Sequence, residues 1–145
     1  MKTLLKSAVL GLASLTFVAV AVIPAQTSVA GSQQRLRLRA DLSGSTLASG
    51  KADYRERTRG TTFVQRFKVE IEDANPGSQV PVLVNGVQFG VIFVNDLGTG
   101  AIQFRTASAI DDPGDGKPIS PDFPLLQPGD QVSVGKILSG TFQLD

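Results

Sequence analysis

From residue 31 onward, apolar and polar positions alternate with a period of two, the pattern of strands that bury one face. Leu36, Leu38, Ala40 and Leu42 interleave with Arg35, Arg37, Arg39 and Asp41. Ala52 and Tyr54 interleave with Lys51, Asp53, Arg55 and Arg57, and Phe67, Val69 and Ile71 interleave with Arg66, Lys68, Glu70 and Glu72. Such ribbons turn an apolar face to a core and a charged face to water, as antiparallel sheets do. Tyr54 falls on the inward face beside Ala52, which predicts a buried ring whose hydroxyl finds a partner.

Asn85-Gly86 marks a two-residue hairpin, because a type I′ turn needs positive φ at both central positions. That turn predicts Val84 opposite Val87, Val82 opposite Phe89 and Val80 opposite Val91, all on one face. Pro81 then pairs with Gly90 on the other face and, lacking an N–H, predicts an edge strand. Ile102 and Phe104 resume the alternation, Val132 and Val134 follow Pro128-Gly129-Asp130, and a last strand runs from Ile137 to Leu144. Gly140, inside that strand, predicts a bulge or a close backbone approach. About eight strands separated by Gly, Pro, Asn and Asp predict an all-β fold: a single antiparallel β-sandwich following an N-terminal signal peptide.

Residues 107–128 interrupt this rhythm with five prolines and no alternation. A loop of that length in a compact domain is commonly functional or mobile. Phe123, Leu125 and Leu126 are expected to pin its second half to the body, leaving Asp111 to Pro118 exposed.

The first thirty residues read differently. Lys2 and Lys6 precede an uncharged run from Ala8 to Ile23, Pro24 breaks it, and Ser28-Val29-Ala30 ends it with small residues. This is the layout of a secretory signal peptide, cleaved after Ala30 in preference to Ala25. The run is shorter than a spanning helix requires. The expectation is a signal peptide over 1–30 and a secreted or otherwise extracytoplasmic domain over 31–145, with no membrane span after cleavage. Cleavage removes two lysines and no acid, taking the formal charge from +1 to −1.

The charge that remains is unevenly spread. Residues 31–70 carry nine basic and four acidic side chains, whereas residues 71–145 carry three and nine. Arg35, Arg37 and Arg39 share one strand face, and Lys51, Arg55, Arg57 and Arg59 share the outward face of the next. Arg66 and Lys68 extend the set. If the strands are neighbours, the result is a basic sheet surface suited to an acidic polysaccharide, a phosphate-rich cell-envelope component or anionic lipid. The competing reading is a solvated face laced by ion pairs to Asp41, Asp53, Glu70 and Glu72.

Composition narrows the chemistry. The chain contains no cysteine, histidine or tryptophan. Disulfides, thiolate and imidazole metal sites and histidine-based triads are therefore excluded, and no cofactor is expected. Asp111, Asp112 and Asp115, with Asp122 nearby, form a weak calcium candidate, but Asp-Pro-Gly-Asp-Gly is also ordinary turn chemistry. Glu70 and Glu72 share a strand face beside lysine, with no evident cause for their acidities to diverge as acid–base catalysis requires. No nucleic-acid-binding motif is present.

Three stretches carry a resemblance: Leu42 to Ile71 (LSGSTLASGKADYRERTRGTTFVQRFKVEI), Val82 to Val94 (VLVNGVQFGVIFV) and Gly129 to Leu144 (GDQVSVGKILSGTFQL). Together they resemble small exported bacterial β-sandwich domains, over most of the chain beyond residue 30. There is a fainter likeness to chordin-type extracellular repeats, carried by Leu42-Ser43-Gly44 and Ala48-Ser49-Gly50-Lys51-Ala52. Those repeats typically hold histidines, which this chain lacks. The resemblance implies a secreted β-rich domain and no particular activity. The expectation is a non-catalytic binding or structural module using the basic strand face. Two alternatives stand beside it: a protease inhibitor or enzyme accessory domain presenting loop 107–128, and a self-assembling surface protein.

Overall fold

The computed structural model describes residues 34–145, apart from the side chains of Gln34 and Arg59, so the leader assigned to residues 1–30 lies outside the described residues. The strands are β1 (Gln34–Leu42), β2 (Ser49–Arg59), β3 (Thr62–Glu72), β4 (Gln79–Val84), β5 (Val87–Phe93), β6 (Gly100–Arg105), β7 (Lys117–Pro118), β8 (Gln131–Val134), β9 (Leu138–Thr141) and β10 (Gln143–Leu144). They form a six-stranded sheet in the order β10-β1-β2-β3-β6-β7 and a four-stranded sheet in the order β5-β4-β8-β9. Every pairing is antiparallel except the short β6–β7 contact. The fold is all-β. Among the described residues, no helix is long and apolar enough to cross a membrane.

The alternation in sequence is the alternation in burial. Leu38, Ala40, Ala52, Tyr54, Phe67, Val69 and Ile71 are each at most 1% exposed. Phe67 of β3 sits amid aromatic neighbours, with Phe104, Phe123 and Phe142 at ring-centroid distances of 6.2, 5.1 and 6.4 Å. Phe123 also meets Phe89 of β5 at 4.8 Å, which ties the 106–130 connection to strands of both sheets. Burial of this aromatic group is a leading contribution to stability, because each such ring removes a large apolar area from water.

The hairpin turn forms as its residues dictate, with φ of 49° at Asn85 and 82° at Gly86. Val84 faces Val87. Beyond that pair the register departs from expectation: a bulge at Val82/Leu83 places Gly90 opposite Val82, Val91 opposite Pro81 and Ile92 opposite Val80. Phe89 is the extra residue. Packing explains the shift. A Cβ at position 90 would stand 2.6 Å from Ile102 and 2.7 Å from Phe104, so the position facing β6 has room only for glycine. Ile92 is fully buried as a result, while Val87 is 57% exposed.

The strand containing Pro81 is not an edge. β4 lies between β5 and β8. The β8 ladder ends at Val134, and Gly135 N–H donates to the Pro81 carbonyl at 2.7 Å. The proline nitrogen therefore points to the side where β8 has already turned away, and no ladder bond is lost.

The expected last strand is divided between the sheets. β9 pairs with β8, Phe142 is fully buried, and β10 pairs with β1. Gly140 marks a close approach, since a Cβ there would stand 2.4 Å from the Asp41 carbonyl oxygen. In the long connection, Phe123 and Leu126 are buried as expected but Leu125 is 61% exposed. With Phe123 and Leu126 both inward, the intervening pair spans the surface. The first half is organised by two 3-10 turns, Ala107–Ala109 and Pro113–Asp115, and by β7 against β6.

Candidate functional site

The outward face of the six-stranded sheet can be read as rows running across the strands, because register fixes which side chains stand side by side. One row is Arg37–Arg55–Arg66–Arg105, drawn from β1, β2, β3 and β6. The row toward the Arg35 end is Arg35–Arg57–Val64. In the opposite direction come Arg39–Asp53–Lys68–Gln103 and then Asp41–Lys51–Glu70–Ala101. Six arginines thus occupy the first two rows without one acidic residue in register, while the strand carboxylates of this face lie in the other two and, at Glu72 opposite Ser49, beyond them.

The mixed rows neutralise themselves. Arg39 approaches Asp53 at 3.2 Å and Asp145 at 3.7 Å. Lys51 and Lys68 both reach Glu70, at 3.2 and 2.5 Å. The hydrogen bond from Lys68 is the main cause holding the Glu70 carboxyl below its ordinary value, against the opposing effect of partial burial.

The arginine rows are different. Among the described residues, no carboxylate lies within ion-pair distance of Arg37, Arg55 or Arg57. Arg105 is held from the loop, by the Asp115 carboxylate at 2.9 Å and the Ala109 carbonyl at 3.2 Å. Arg66 donates through Nη2 to Gln103 Oε1 at 2.7 Å, while its Nε is buried without an acceptor. The side chains border an open depression of about 410 Å³ that reaches Asp111 and Ala109 of the loop.

The inward residues at the same end of the sheet fix this geometry. Tyr54 is fully buried, donates to Glu56 at 2.9 Å and accepts from Gln65 Nε2 at 2.9 Å. Burial pushes its hydroxyl well above the ordinary phenolic value. Gln65 N–H donates to Thr106 Oγ1 at 2.7 Å and Thr106 N–H returns a bond to the Gln65 carbonyl at 3.0 Å. This clamp lies next to the Arg66–Arg105 pair and locks β3 to β6 there.

The face therefore gathers Arg35, Arg37, Arg55, Arg57 and Arg66, as the alternation suggested, and adds Arg105, while Lys51 and Lys68 fall in the mixed rows. Arg39 stands in the mixed rows, paired with acids. Arg59 pairs with Thr62 at the strand end, and its side chain lies outside the described residues. Arg105 was within reach of sequence reasoning through its alternation with Phe104; the pairing of β3 with β6, across two intervening strands, was not.

The Asp111, Asp112 and Asp115 group is built as a turn. The Asp115 carboxylate accepts the N–H groups of Asp111 and Asp112 at 3.2 and 3.4 Å and meets Arg105. These backbone bonds, the one from Asp111 foremost, hold its pKa below the ordinary carboxylate value. Among the described residues, no three His, Cys, Asp or Glu side chains are grouped to hold a metal ion. Comparison with protein-family models, with curated proteins and with solved structures returned no match.

Proposed function

We propose that the protein is a non-catalytic binding module that takes an anionic polymer of the cell envelope, such as an acidic polysaccharide, on its arginine rows. In this reading the domain is exported after loss of residues 1–30, and its two sheets pack as a sandwich that serves as a rigid platform. The leader-like sequence supports export, and the core shared by both sheets supports the platform.

The carrying observation is the register of Arg37, Arg55, Arg66 and Arg105. Like charges directly opposite on neighbouring strands are destabilising. A fold that places four guanidiniums in one row, with a carboxylate on Arg105 alone among Arg37, Arg55 and Arg105, while pairing Arg39, Lys51 and Lys68 with acids, bears a cost that an anionic ligand offsets. Arginine suits the task, because its planar fork matches oxyanions and stays charged at any physiological pH.

The test is retention on a sulfated resin. The wild type is expected to bind at low salt and elute as salt rises. The Arg37/Arg55/Arg57 triple alanine variant is expected to pass through unretained, with its circular dichroism unchanged. Equal retention of the two proteins overturns the reading.

A second reading, self-assembly, rests on β5. This edge strand of the four-stranded sheet reads Val-Gln-Phe-Gly-Val-Ile-Phe, without charge, and leaves Phe93 65% exposed. Uncharged edges invite pairing with a second copy. Light scattering that shows mass rising with concentration, and a fall on Val91→Lys substitution, would favour it.

A further inference from the structure

We infer that the arginine face is built for a tetrahedral oxyanion, a phosphate or sulfate group, with the Arg66 Nε–H as its anchoring donor; this rests on the polyanion reading and specifies the group that the site takes. Arg66 stands in the middle of its row, with Arg55 on one side and Arg105 on the other. Its Nη2 is committed to Gln103 and its Nε is buried and unpartnered. A buried donor without an acceptor is costly, and buried donors in folded proteins are almost always satisfied. Arg66 lines the open depression beside Arg55 and Arg105, and the Asp115 carboxylate that faces this end of the row is already taken up by Arg105 and by the N–H groups of its own turn.

The number of donors distinguishes the anion. Neighbouring strands are about 4.8 Å apart, so Arg55, Arg66 and Arg105 stand side by side, and all three line the one open depression. A carboxylate offers two oxygens. A phosphate monoester or a sulfate ester offers three acceptor oxygens in tetrahedral array. Three guanidiniums from three strands are better matched by the tetrahedral group. Gln103 holds the Arg66 fork in place, since it accepts from Nη2 while its own amide donates to the Asp115 carbonyl. Arg105 is held likewise by Asp115 and Ala109.

The experiment uses protein purified from expression of the full chain, titrated at constant ionic strength with linear polyphosphate, dextran sulfate, polygalacturonate and inorganic phosphate. Polyphosphate and dextran sulfate are expected to bind about tenfold more tightly than polygalacturonate, of the order a charge-assisted bond supplies. Arg66→Lys keeps the charge but removes Nε, and is expected to erase that preference; Arg57→Lys, away from the anchor, is expected to keep it. The Arg66 Nε–H resonance in the wild type is expected to shift on adding polyphosphate, a readout independent of whether any variant folds. A matching shift with inorganic phosphate identifies a site that takes the free ion; a shift with polymer alone identifies a polymer-borne group. Equal affinity for polygalacturonate, or an unmoved Nε–H resonance under saturating polyphosphate, overturns the anchor while leaving general polyanion binding standing. Failure of every polyanion to bind overturns both.

Discussion

The two halves of one sheet face make opposite use of the same kind of residue. Around Asp53 and Glu70, basic side chains are interleaved with acids and reach them at 2.5–3.3 Å. Around Arg55 and Arg66, basic side chains stand next to one another. The backbone is the same continuous ladder in both, so the difference lies in which charge the register sets opposite which. The paired half is what a sheet exterior needs for solubility and edge protection. The arginine half adds nothing to that and stores repulsion, which is why function is assigned to it and not to the basic face as a whole.

The largest expected effect separates the halves by binding. Each basic side chain on an anionic surface contributes about 1 kcal/mol. Replacing Arg37, Arg55 and Arg57 by alanine should therefore weaken polyanion binding about 100-fold. The matched triple in the other half, Arg39, Lys51 and Lys68 to alanine, should change affinity by only about threefold, since those charges are already neutralised. Affinity measured by titration at one salt concentration checks both. Equal losses would mean that net charge, not register, governs the surface.

Stability should move the other way. Arg55→Glu places an acid between Arg37 and Arg66, its register partners on either side. Two repulsive cross-strand pairs become attractive, and the variant should gain about 1 kcal/mol in urea unfolding while losing its ligand. The gain should shrink in about 1 M salt, where the screening length falls to about 3 Å. A destabilised Arg55→Glu protein would show that the row is not under electrostatic stress. Asp53→Arg, the reciprocal change in the paired half, should destabilise by about 0.5–1 kcal/mol through loss of its contact with Arg39.

The sequence made the paired and unpaired strands visible but not their full arrangement. Period-two alternation located the strands because burying one face of a ribbon admits no other spacing. Tyr54 was legible for the same reason, and Asn85-Gly86 because its φ requirement is local. What escaped was whatever depends on a second surface. The bulge at Phe89 arises from crowding of Gly90 against Ile102 and Phe104 on another strand. The division of the last strand follows from Phe142 turning inward between β9 and β10. Arg105 joined the site only because the chain, after the β4–β5 hairpin of the other sheet, returns to set β6 against β3, and no local pattern encodes that adjacency.

The smallest effect concerns pH and belongs to the paired half. Glu70 has its acidity strengthened chiefly by the hydrogen bond from Lys68 and also by Lys51. A carboxyl with a lowered folded-state pKa contributes its full stabilisation above the unfolded-state value, about 4.3, and loses it as pH falls through the folded-state value. The wild type should therefore lose a small part of its stability on acidification below about pH 4.3, and Glu70→Gln should flatten that portion of the acid limb while lowering stability slightly at pH 7. The effect is small because all three side chains remain partly exposed, at 31% for Glu70, 29% for Lys68 and 49% for Lys51. Acid also removes the charge that keeps Lys51 and Lys68 occupied, so the paired half should come to resemble the arginine half, and Glu70→Gln at neutral pH should bind sulfated polymer slightly more tightly than the wild type. A weaker-binding Glu70→Gln protein would mean that Lys51 and Lys68, once released, do not reach the ligand, and that the boundary between the two halves is set by strand position and not by neutralisation.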